Sequence, residues 1–205
     1  MEYPSDAIAK VVEALAQLPG IGRKTALRMA LQLLKDPYGL SETLGHALIE
    51  LKTRTQYCQQ CFNISDGPRC NICLNTRRND KQICVVEDVR DLMAIERTGQ
   101  YQGQYHLLGG LIHPMNGTGP SDLNIDSLVQ RVHTQGTEEL ILALSSTMEG
   151  ETTAFYIVKK LRGVPIRMTN IARGIPMGSD LAYTDELTLG RSLMHRTDYL
   201  LPTEA

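Results

Sequence analysis

The sequence predicts an α/β protein made of several parts: an N-terminal helical region, a short cysteine-rich segment, a parallel sheet with flanking helices, and a short helical tail. Three observations indicate this. Helical periodicity dominates the first fifty-odd residues, four cysteines follow in two C-x-x-C pairs, and from residue 81 short apolar runs alternate with helical stretches. Such alternation is typical of βαβ units, in which helices cover both faces of a parallel sheet.

Three helices are predicted in the N-terminal region. Ser5 is expected to cap the first helix, in which apolar residues recur at helical spacing over 8–15. Pro19 and the glycine after it interrupt this pattern. The second helix is expected over about 24–34, and a third begins near Ser41.

Four strands and three helices are predicted in the sheet region. The apolar runs that predict strands cover 83–86, 105–108, 140–144 and 166–169. The periodic stretches that predict helices cover 91–98, 125–132 and 152–161. The stretch 113–122 is rich in proline, glycine and asparagine, which predicts an irregular exposed loop.

The cysteines Cys58, Cys61, Cys70 and Cys73 follow the pattern C-x2-C-x8-C-x2-C. Each pair can place two thiolates on one side of a Zn²⁺ ion, which gives a tetrahedral site with Zn–S bonds of about 2.3 Å. Four sulfur ligands leave no position for water, so one structural zinc ion per chain is expected. Two disulfides or a redox pair are the alternatives, which the doubled pairs disfavour. The fifth cysteine, Cys84, lies in an apolar run and is predicted to be buried.

The overall composition is that of an ordinary globular protein, with 42% hydrophobic and 21% charged residues. The formal net charge of −2 excludes a general polycation, so any contact with nucleic acid must come from a local basic cluster. The N-terminus lacks the basic-then-apolar layout of a secretion signal, and no apolar run approaches the ~20 residues that span a bilayer. We therefore expect a protein of the reducing cytoplasm, with no membrane contact.

A turn with the sequence L-P-G-I-G, residues 18–22, joins the first two helices and is followed by Arg23, Lys24 and Arg28. The second helix starts directly after the turn, so its free N–H groups and positive dipole end can hold a phosphate. The basic side chains would add charge. The turn resembles the helix-hairpin-helix motif, which grips the DNA backbone without reading bases. An ordinary helical hairpin with solvated charges is the alternative, and an ATP-binding P-loop is a poorer match because G-x-x-x-x-G-K-[ST] is absent.

Three glutamates follow predicted strands. Glu87 comes directly after the first strand of the sheet, and Glu149 and Glu151 lie a short loop beyond the third. The carboxyl ends of strands line the crevice where α/β sheets bind ligands, and gathered carboxylates could hold Mg²⁺. This arrangement resembles the Toprim domain of topoisomerases, primases and some nucleases. Catalytic members carry D-x-D where this chain has E-G-E, so partner docking or weak Mg²⁺ binding is expected here in place of catalysis. Simple helix capping is the alternative.

In this order the features resemble the bacterial recombination-mediator family RecR over almost the whole chain. The resemblance rests on L-P-G-I-G, on the cysteine pattern and on I-C-V-V-E at 83–87. It continues through H-P-M-N-G-T-G-P at 113–120, M-E-G-E-T-T-A at 148–154 and I-A-R-G-I-P-M-G at 171–178. The E-G-E form is close to what this family carries.

The resemblance implies a non-enzymatic role in DNA repair and recombination. Family members work with RecO, and in some pathways RecF, to help RecA replace single-strand binding protein on gapped or single-stranded DNA. Some form ring-shaped tetramers in which N-terminal hairpins of neighbouring subunits pack together. The three basic residues would then line the hole, where contacts to the backbone of single- and double-stranded DNA are both expected. The three glutamates would face a basic partner such as RecO.

The resemblance also implies four segments. They are a helix-hairpin-helix region at 1–56, a four-cysteine zinc finger at 57–79, a Toprim domain at 80–177 and a C-terminal segment at 178–205. Two other functions stay open: a Mg²⁺-dependent nuclease or primase-like enzyme built on the glutamates, and a protein scaffold that does not bind DNA.

Overall fold

The computed structural model describes residues 3–196, which divide into two compact units with a boundary between Gln56 and Tyr57. The ends of the predicted segments 1–56 and 178–205 therefore lie partly outside the described residues, at 1–2 and 197–205. Between residues 3 and 196, no helix combines the length and the apolar character that crossing a membrane requires.

The first unit contains three helices, α1 (Asp6–Ala16), α2 (Arg23–Lys35) and α3 (Leu40–Arg54). The predicted helix cap is confirmed, because the Ser5 hydroxyl accepts a 3.2 Å hydrogen bond from the amide of Ala7. The predicted positions of the second and third helices are confirmed to within a residue at each given end.

The core of this unit is small and lies between α1 and α2. Val12, Ala26 and Ala30 are its buried members, and partly buried aliphatic side chains and Tyr3 surround them. The small side chains of the two alanines allow the helices to approach closely. α3 buries no residue, and its Leu44 and Leu48 are exposed. The first unit therefore leaves apolar side chains of α3 exposed, outside its own core.

The second unit begins with a small cysteine knuckle, defined here as residues 57–74, and continues into a parallel sheet. β1 (Gln56–Tyr57), which extends into the start of the knuckle, pairs with β2 (Ile64–Ser65), and the short helix α4 (Asn71–Leu74) follows. The larger sheet consists of β3 (Asn79–Val86), β4 (Gly103–Leu107), β5 (Glu139–Ala143) and β6 (Arg167–Asn170). Its order is β4-β3-β5-β6 and all its pairs are parallel, which confirms the predicted fold class.

Helices cover both faces of this sheet. The helices that follow its strands are α5 (Val89–Arg97), α6 (Ile125–Gln135) and α7 (Met148–Lys160). The tail adds a short 3-10 helix (Leu181–Tyr183) and α8 (Glu186–Met194).

Alternate residues of β3 enter two different cores. Ile83 and Val85 join a cluster that includes buried residues of α6 and α7, whereas Cys84 and Val86 join a cluster that includes Leu92 of α5. Burial of Cys84 confirms its predicted place and raises the pKa of its thiol to about 12. The strand starts at residue 79, four residues before the predicted start, because its polar first half carries no apolar signal.

Candidate functional site

The four cysteines of the knuckle come together in one buried cluster. Cys58 and Cys61 are fully buried, and Cys70 and Cys73 are nearly so. The four sulfur atoms lie within 4.8 Å of one another, and those of Cys61 and Cys70 are 3.5 Å apart. A disulfide requires about 2.05 Å, whereas sulfurs around Zn²⁺ with bonds of about 2.3 Å lie about 3.8 Å apart. The donor set and its spacing therefore fit a tetrathiolate zinc ion and exclude disulfides in this arrangement.

Backbone hydrogen bonds fix the conformation of the first C-x-x-C pair, Cys58 and Cys61. The amide of Cys58 donates to the carbonyl of Asn63 at 2.7 Å, and the amide of Phe62 donates to the carbonyl of Cys58 at 2.9 Å. Phe62 has a φ of 63°, a left-handed conformation that bulky residues adopt only where the surrounding structure determines it. The thiol contact raises the pKa of Cys61 and lowers that of Cys70. A bound cation would neutralise the negative charge of the thiolates that Cys61 and Cys70 form.

The knuckle covers the outer edge of the sheet. β4 is an edge strand, and the amide of its Leu107 donates to the carbonyl of Cys61 at 2.9 Å. Arg131 of α6 adds a second link, because its Nη1 donates to the carbonyls of Tyr105 at 2.7 Å and of Gln60 at 3.3 Å. Exposed edge groups of a sheet favour pairing with other chains. The knuckle therefore both carries the metal ligands and protects this edge.

The turn between α1 and α2 leaves the N-terminus of α2 without a side-chain cap. Gly20 has a φ of 80°, which only glycine adopts without strain, and the amide of Ile21 closes the turn on the carbonyl of Leu18 at 3.1 Å. Gly22 is the N-cap residue of α2 and has no side chain to accept a hydrogen bond. The first-turn amides and the positive dipole end of α2 therefore remain available to an external anion.

The three predicted DNA-binding residues are exposed at the start of α2, which contains no acidic residue. Lys24 and Arg28 line one groove of about 360 Å³ together with Leu27. Arg23 lines a different hollow, which it shares with Glu13. None of the three basic side chains forms an ion pair with another described residue. The structure thus brings Lys24 and Arg28 together and directs Arg23 elsewhere.

The three glutamates occupy the carboxyl side of the sheet but do not converge. Glu87 follows β3, and burial raises its pKa, as does repulsion from Asp91 and Asp88. Glu149 and Glu151 lie in the first turn of α7, which begins four residues before the predicted start. Among the residues that the structure describes, the cysteine cluster is the only group of three or more potential ligands with ligand atoms within 4.8 Å. The glutamates therefore form no preassembled metal site.

Glu149 and Glu151 have separate partners. Residues two apart on a helix point in different directions, and Glu149 lies 3.8 Å from Nε2 of His113, whereas Glu151 pairs with Arg173. The glycine between them is a packing requirement, because a Cβ at Gly150 would lie 2.0 Å from the carbonyl oxygen of Ser145. The E-G-E sequence thus reflects a close approach of α7 to the preceding loop.

Sequence reasoning did not single out Arg131 or the partners of the glutamates. Arg131 lies on the buried face of α6 between Leu128 and Val132, and a charged residue in that apolar stripe was the available signal. His113 and Arg173 lie within motifs that the family resemblance contains, but only the fold shows which carboxylate each one meets.

Comparisons with known proteins agree with this arrangement. Four family models match: the RecR helix-hairpin-helix at 8–52, the RecR zinc finger domain with four cysteines at 55–75, the Toprim domain at 81–172, and the RecR C-terminal model at 174–197. Recombination protein RecR of Phocaeicola vulgatus is 55% identical over 196 residues, which is 96% of each chain. Those of Bacteroides thetaiotaomicron and Flavobacterium johnsoniae are each 53% identical, over 96% and 97% of each chain, respectively.

Proposed function

Because the chain belongs to the RecR family of recombination proteins, we propose that it is a DNA-binding recombination mediator without catalytic activity. In this role it acts with RecO, and in some pathways RecF, to help load RecA on gapped or single-stranded DNA. The observation that carries the DNA-binding half of this proposal is the uncapped, basic N-terminus of α2.

The DNA backbone binds at the turn before α2. A phosphate oxygen accepts hydrogen bonds from the first-turn amides, which Gly22 leaves without a side-chain acceptor. Lys24 and Arg28 add charge from one groove, and Arg23 adds charge from the side of the turn. Phosphate contacts of this kind carry no base information, so the binding is independent of sequence.

The protein works as a homo-oligomer, for which a tetrameric ring is the arrangement that the family resemblance implies. Exposed apolar side chains on the first unit support such assembly, since surfaces of this kind mark interaction sites. They include Met29, Leu34, Leu44, Leu48 and Ile49. Each chain offers only a few phosphate contacts, and repetition around a ring multiplies their effect on binding.

Zinc holds the knuckle, and Cys58, Cys61, Cys70 and Cys73 are its ligands. The chemistry and spacing of the four sulfurs support this assignment. When bound, the ion supplies structural cross-linking alone, because all four coordination positions are filled by the protein. Around it, the knuckle holds β4 through the hydrogen bond from Leu107 to Cys61.

The glutamates dock a basic partner such as RecO, and Mg²⁺ binding at them is weak. Glu87, with Asp88 and Asp91 nearby, gives the end of β3 a negative surface. The separation of Glu149 and Glu151 toward different partners supports docking over metal catalysis.

Charge reversal tests the DNA-binding site. The variant Lys24→Glu/Arg28→Glu is expected to lose DNA affinity about tenfold or more at low salt, and its salt slope falls by about 0.7 to 0.9 for each phosphate that it no longer binds. Fluorescence anisotropy with labelled single- and double-stranded DNA measures both quantities. The control Lys10→Glu/Lys35→Glu changes the net charge equally at exposed positions of α1 and α2. If the test variant and the control variant bound DNA equally well, the DNA-binding site would not lie at the hairpin.

A second experiment tests the enzymatic alternative. Pure protein is incubated with nicked, gapped and single-stranded DNA in the presence of Mg²⁺, and the proposal expects no change in the DNA. Turnover that Glu149→Gln abolishes would contradict the mediator function and favour a nuclease or primase-like enzyme.

A further inference from the structure

A cleft of about 650 Å³ lies between the knuckle and α6, on the same unit as the sheet. Two arginines, four glutamines, a serine, a threonine and a phenylalanine line it, and no carboxylate does. They are Arg69, Arg131, Gln59, Gln60, Gln130, Gln135, Ser127, Thr134 and Phe62. We propose that this cleft binds a nucleotide, with its phosphate at Arg69 and its base against the amide side chains of Gln59 and Gln130.

The floor of the cleft is a buried cation that no carboxylate neutralises. Arg131 is only 7% exposed and forms no ion pair with an acidic residue anywhere in 3–196. Its guanidinium is fixed by hydrogen bonds to the carbonyl of Tyr105, to Gln104, and to Oε1 of Gln135 at 2.8 Å. The nearby cysteine sulfurs offset part of this charge, so Arg131 shapes the floor of the cleft, and the exposed Arg69 is the group that meets an anion.

Two further wall residues already have their amides engaged. Gln60 donates through Nε2 to Gln104 at 3.1 Å, and its Oε1 accepts from Arg69. Gln135 donates through Nε2 to the carbonyl of Asp80 at 3.1 Å. These side chains hold the shape of the cleft and are not available to a ligand.

Other groups at the cleft retain hydrogen-bonding capacity. Arg69 is held by Nη2, which donates to Gln60 and to the carbonyl of Cys73 at 3.0 Å. Its Nε and Nη1 make no bond within the described chain, and neither do the side chains of Gln59, Gln130 and Ser127. The cleft therefore combines a rigid frame with a guanidinium, two amides and a hydroxyl that can meet a ligand.

The chemistry of these free groups matches a nucleotide. A guanidinium pairs with phosphate oxygens through its planar array of donors. A glutamine amide offers a donor and an acceptor together, which is the pattern that nucleobase edges complement. The volume also lies in the range of about 300 to 1,000 Å³ that small-ligand sites occupy. An acidic peptide would also satisfy the arginine, but a nucleobase edge presents its donor and acceptor side by side in one plane, as the two glutamine amides do, so the lining favours a nucleotide.

The nucleotide has two sources, a free mononucleotide or one residue of a single-stranded DNA. Either source would use the same contacts, and the site does not depend on the hairpin of α1 and α2. In the second case the sheet unit holds the strand at a point separate from the hairpin.

Two substitutions test the cleft. Arg69→Glu removes the phosphate contact, and Ser127→Glu places a carboxylate in the cleft while keeping every bond of Arg69 that supports the knuckle. The matched controls are Arg162→Glu, an exposed arginine just after α7, and His133→Glu, an exposed position of α6 outside the cleft. The full-length, zinc-loaded protein is titrated with a fluorescent nucleoside monophosphate and with a labelled oligo(dT), both also in a Lys24→Glu/Arg28→Glu background.

We expect both cleft variants to weaken binding of at least one probe about tenfold, with the controls unchanged. In the hairpin background, the residual oligo(dT) binding falls again with Ser127→Glu, and its salt slope drops by about 0.7 with Arg69→Glu. An effect on the monophosphate identifies the free nucleotide as the ligand, and an effect on oligo(dT) alone identifies the strand. Equal binding by cleft and control variants overturns the proposal, and so does displacement of the probe from the Lys24→Glu/Arg28→Glu background protein by poly-glutamate at equal charge concentration. These outcomes concern the cleft alone, because the Lys24→Glu/Arg28→Glu variant tests the hairpin separately.

Discussion

Helices α2 and α7 have the same length of 13 residues and begin in opposite ways. The N-cap residue of α2 is Gly22, which has no side chain to form a cap, and the first turn of this helix contains no acidic residue. The N-cap residue of α7 is Thr147, whose hydroxyl accepts a hydrogen bond from the amide of Gly150 at 3.2 Å, and the first turn of this helix contains two glutamates. The positive dipole end of α7 is therefore satisfied from within the chain, whereas that of α2 is left to an external anion.

The difference shows how one chain can carry both a basic and an acidic helix N-terminus at a net charge of −2. A helix N-terminus alone predicts neither function, because both helices have one. The deciding features are the capping side chain and the sign of the charges in the first turn, which are both local in sequence. Each of the following experiments changes one side of this comparison.

The largest expected effect is removal of the metal, which should break the unit that carries α7 and spare the one that carries α2. Structural zinc contributes on the order of 10 kcal/mol to the folding of small zinc domains, and the core of the first unit contains no cysteine. The variant Cys70→Ser, or stripping with a chelator, should lower the melting temperature of the sheet unit. Calorimetry and elemental analysis measure this.

The control for metal removal is Cys84→Ser, a buried cysteine outside the cluster. It should keep its zinc, and its stability should fall only by the cost of burying one hydroxyl among apolar side chains. A zinc-free protein that unfolds like the zinc-loaded one would contradict the structural role of the metal.

The second effect comes from giving α2 the kind of cap that α7 has. Gly22 has a φ of −82°, and an added Cβ would meet no atom within 4 Å, so other residues fit there. Gly22→Asp should stabilise the helix by about 0.3 kcal/mol, yet weaken DNA binding several-fold because its carboxylate occupies the phosphate site. Chemical denaturation and anisotropy measure the two effects.

Gly22→Ser separates the cap from the charge. It supplies a hydroxyl acceptor without a negative charge, so its loss of DNA affinity should be smaller than that of Gly22→Asp. Equal affinities of the wild type and Gly22→Asp would place the bound phosphate elsewhere on the protein.

These contrasts also show which features the sequence could predict. The cysteine quartet and the basic turn are each patterns of short spacing. For that reason the four cysteine sulfurs lie together, and so do the side chains of Lys24 and Arg28. The direction of Glu149 and Glu151 could not be predicted in the same way, because it depends on where α7 begins and on how closely Gly150 approaches Ser145. The strand β3 was predicted too short because its polar first residues carry no apolar period.

The role of Arg131 was missed for a related reason. Its partners lie 26 and 71 residues away along the chain, on β4 and in the knuckle. A pattern within one helix shows that an arginine interrupts an apolar face, but the backbone carbonyls that satisfy it are defined only by the tertiary fold.

A third effect comes from removing the cap of α7. Thr147→Ala deletes the acceptor for the amide of Gly150 and should cost about 1 kcal/mol of unfolding free energy. DNA affinity should stay unchanged, since this helix end is not the phosphate site. Thr147→Ser keeps the hydroxyl and serves as the control. A loss of DNA binding by Thr147→Ala, with the fold intact, would mean that both helix ends contact DNA.

The smallest effect concerns stability as pH changes, to which Glu87 and Glu149 are expected to contribute with opposite sign. Burial, with repulsion from Asp91 and Asp88, raises the pKa of Glu87, so its contribution to stability is present at low pH and is lost as pH rises through that pKa. Hydrogen bonds from its own backbone amide and from Thr147 lower the pKa of Glu149, so its contribution is present at neutral pH and is lost as pH falls. Glu87→Gln should therefore raise the melting temperature at neutral pH, whereas Glu149→Gln should lower it. Both differences should shrink toward about pH 4, where carboxylates become protonated, and melts across this range would contradict the comparison if both variants shifted in the same direction.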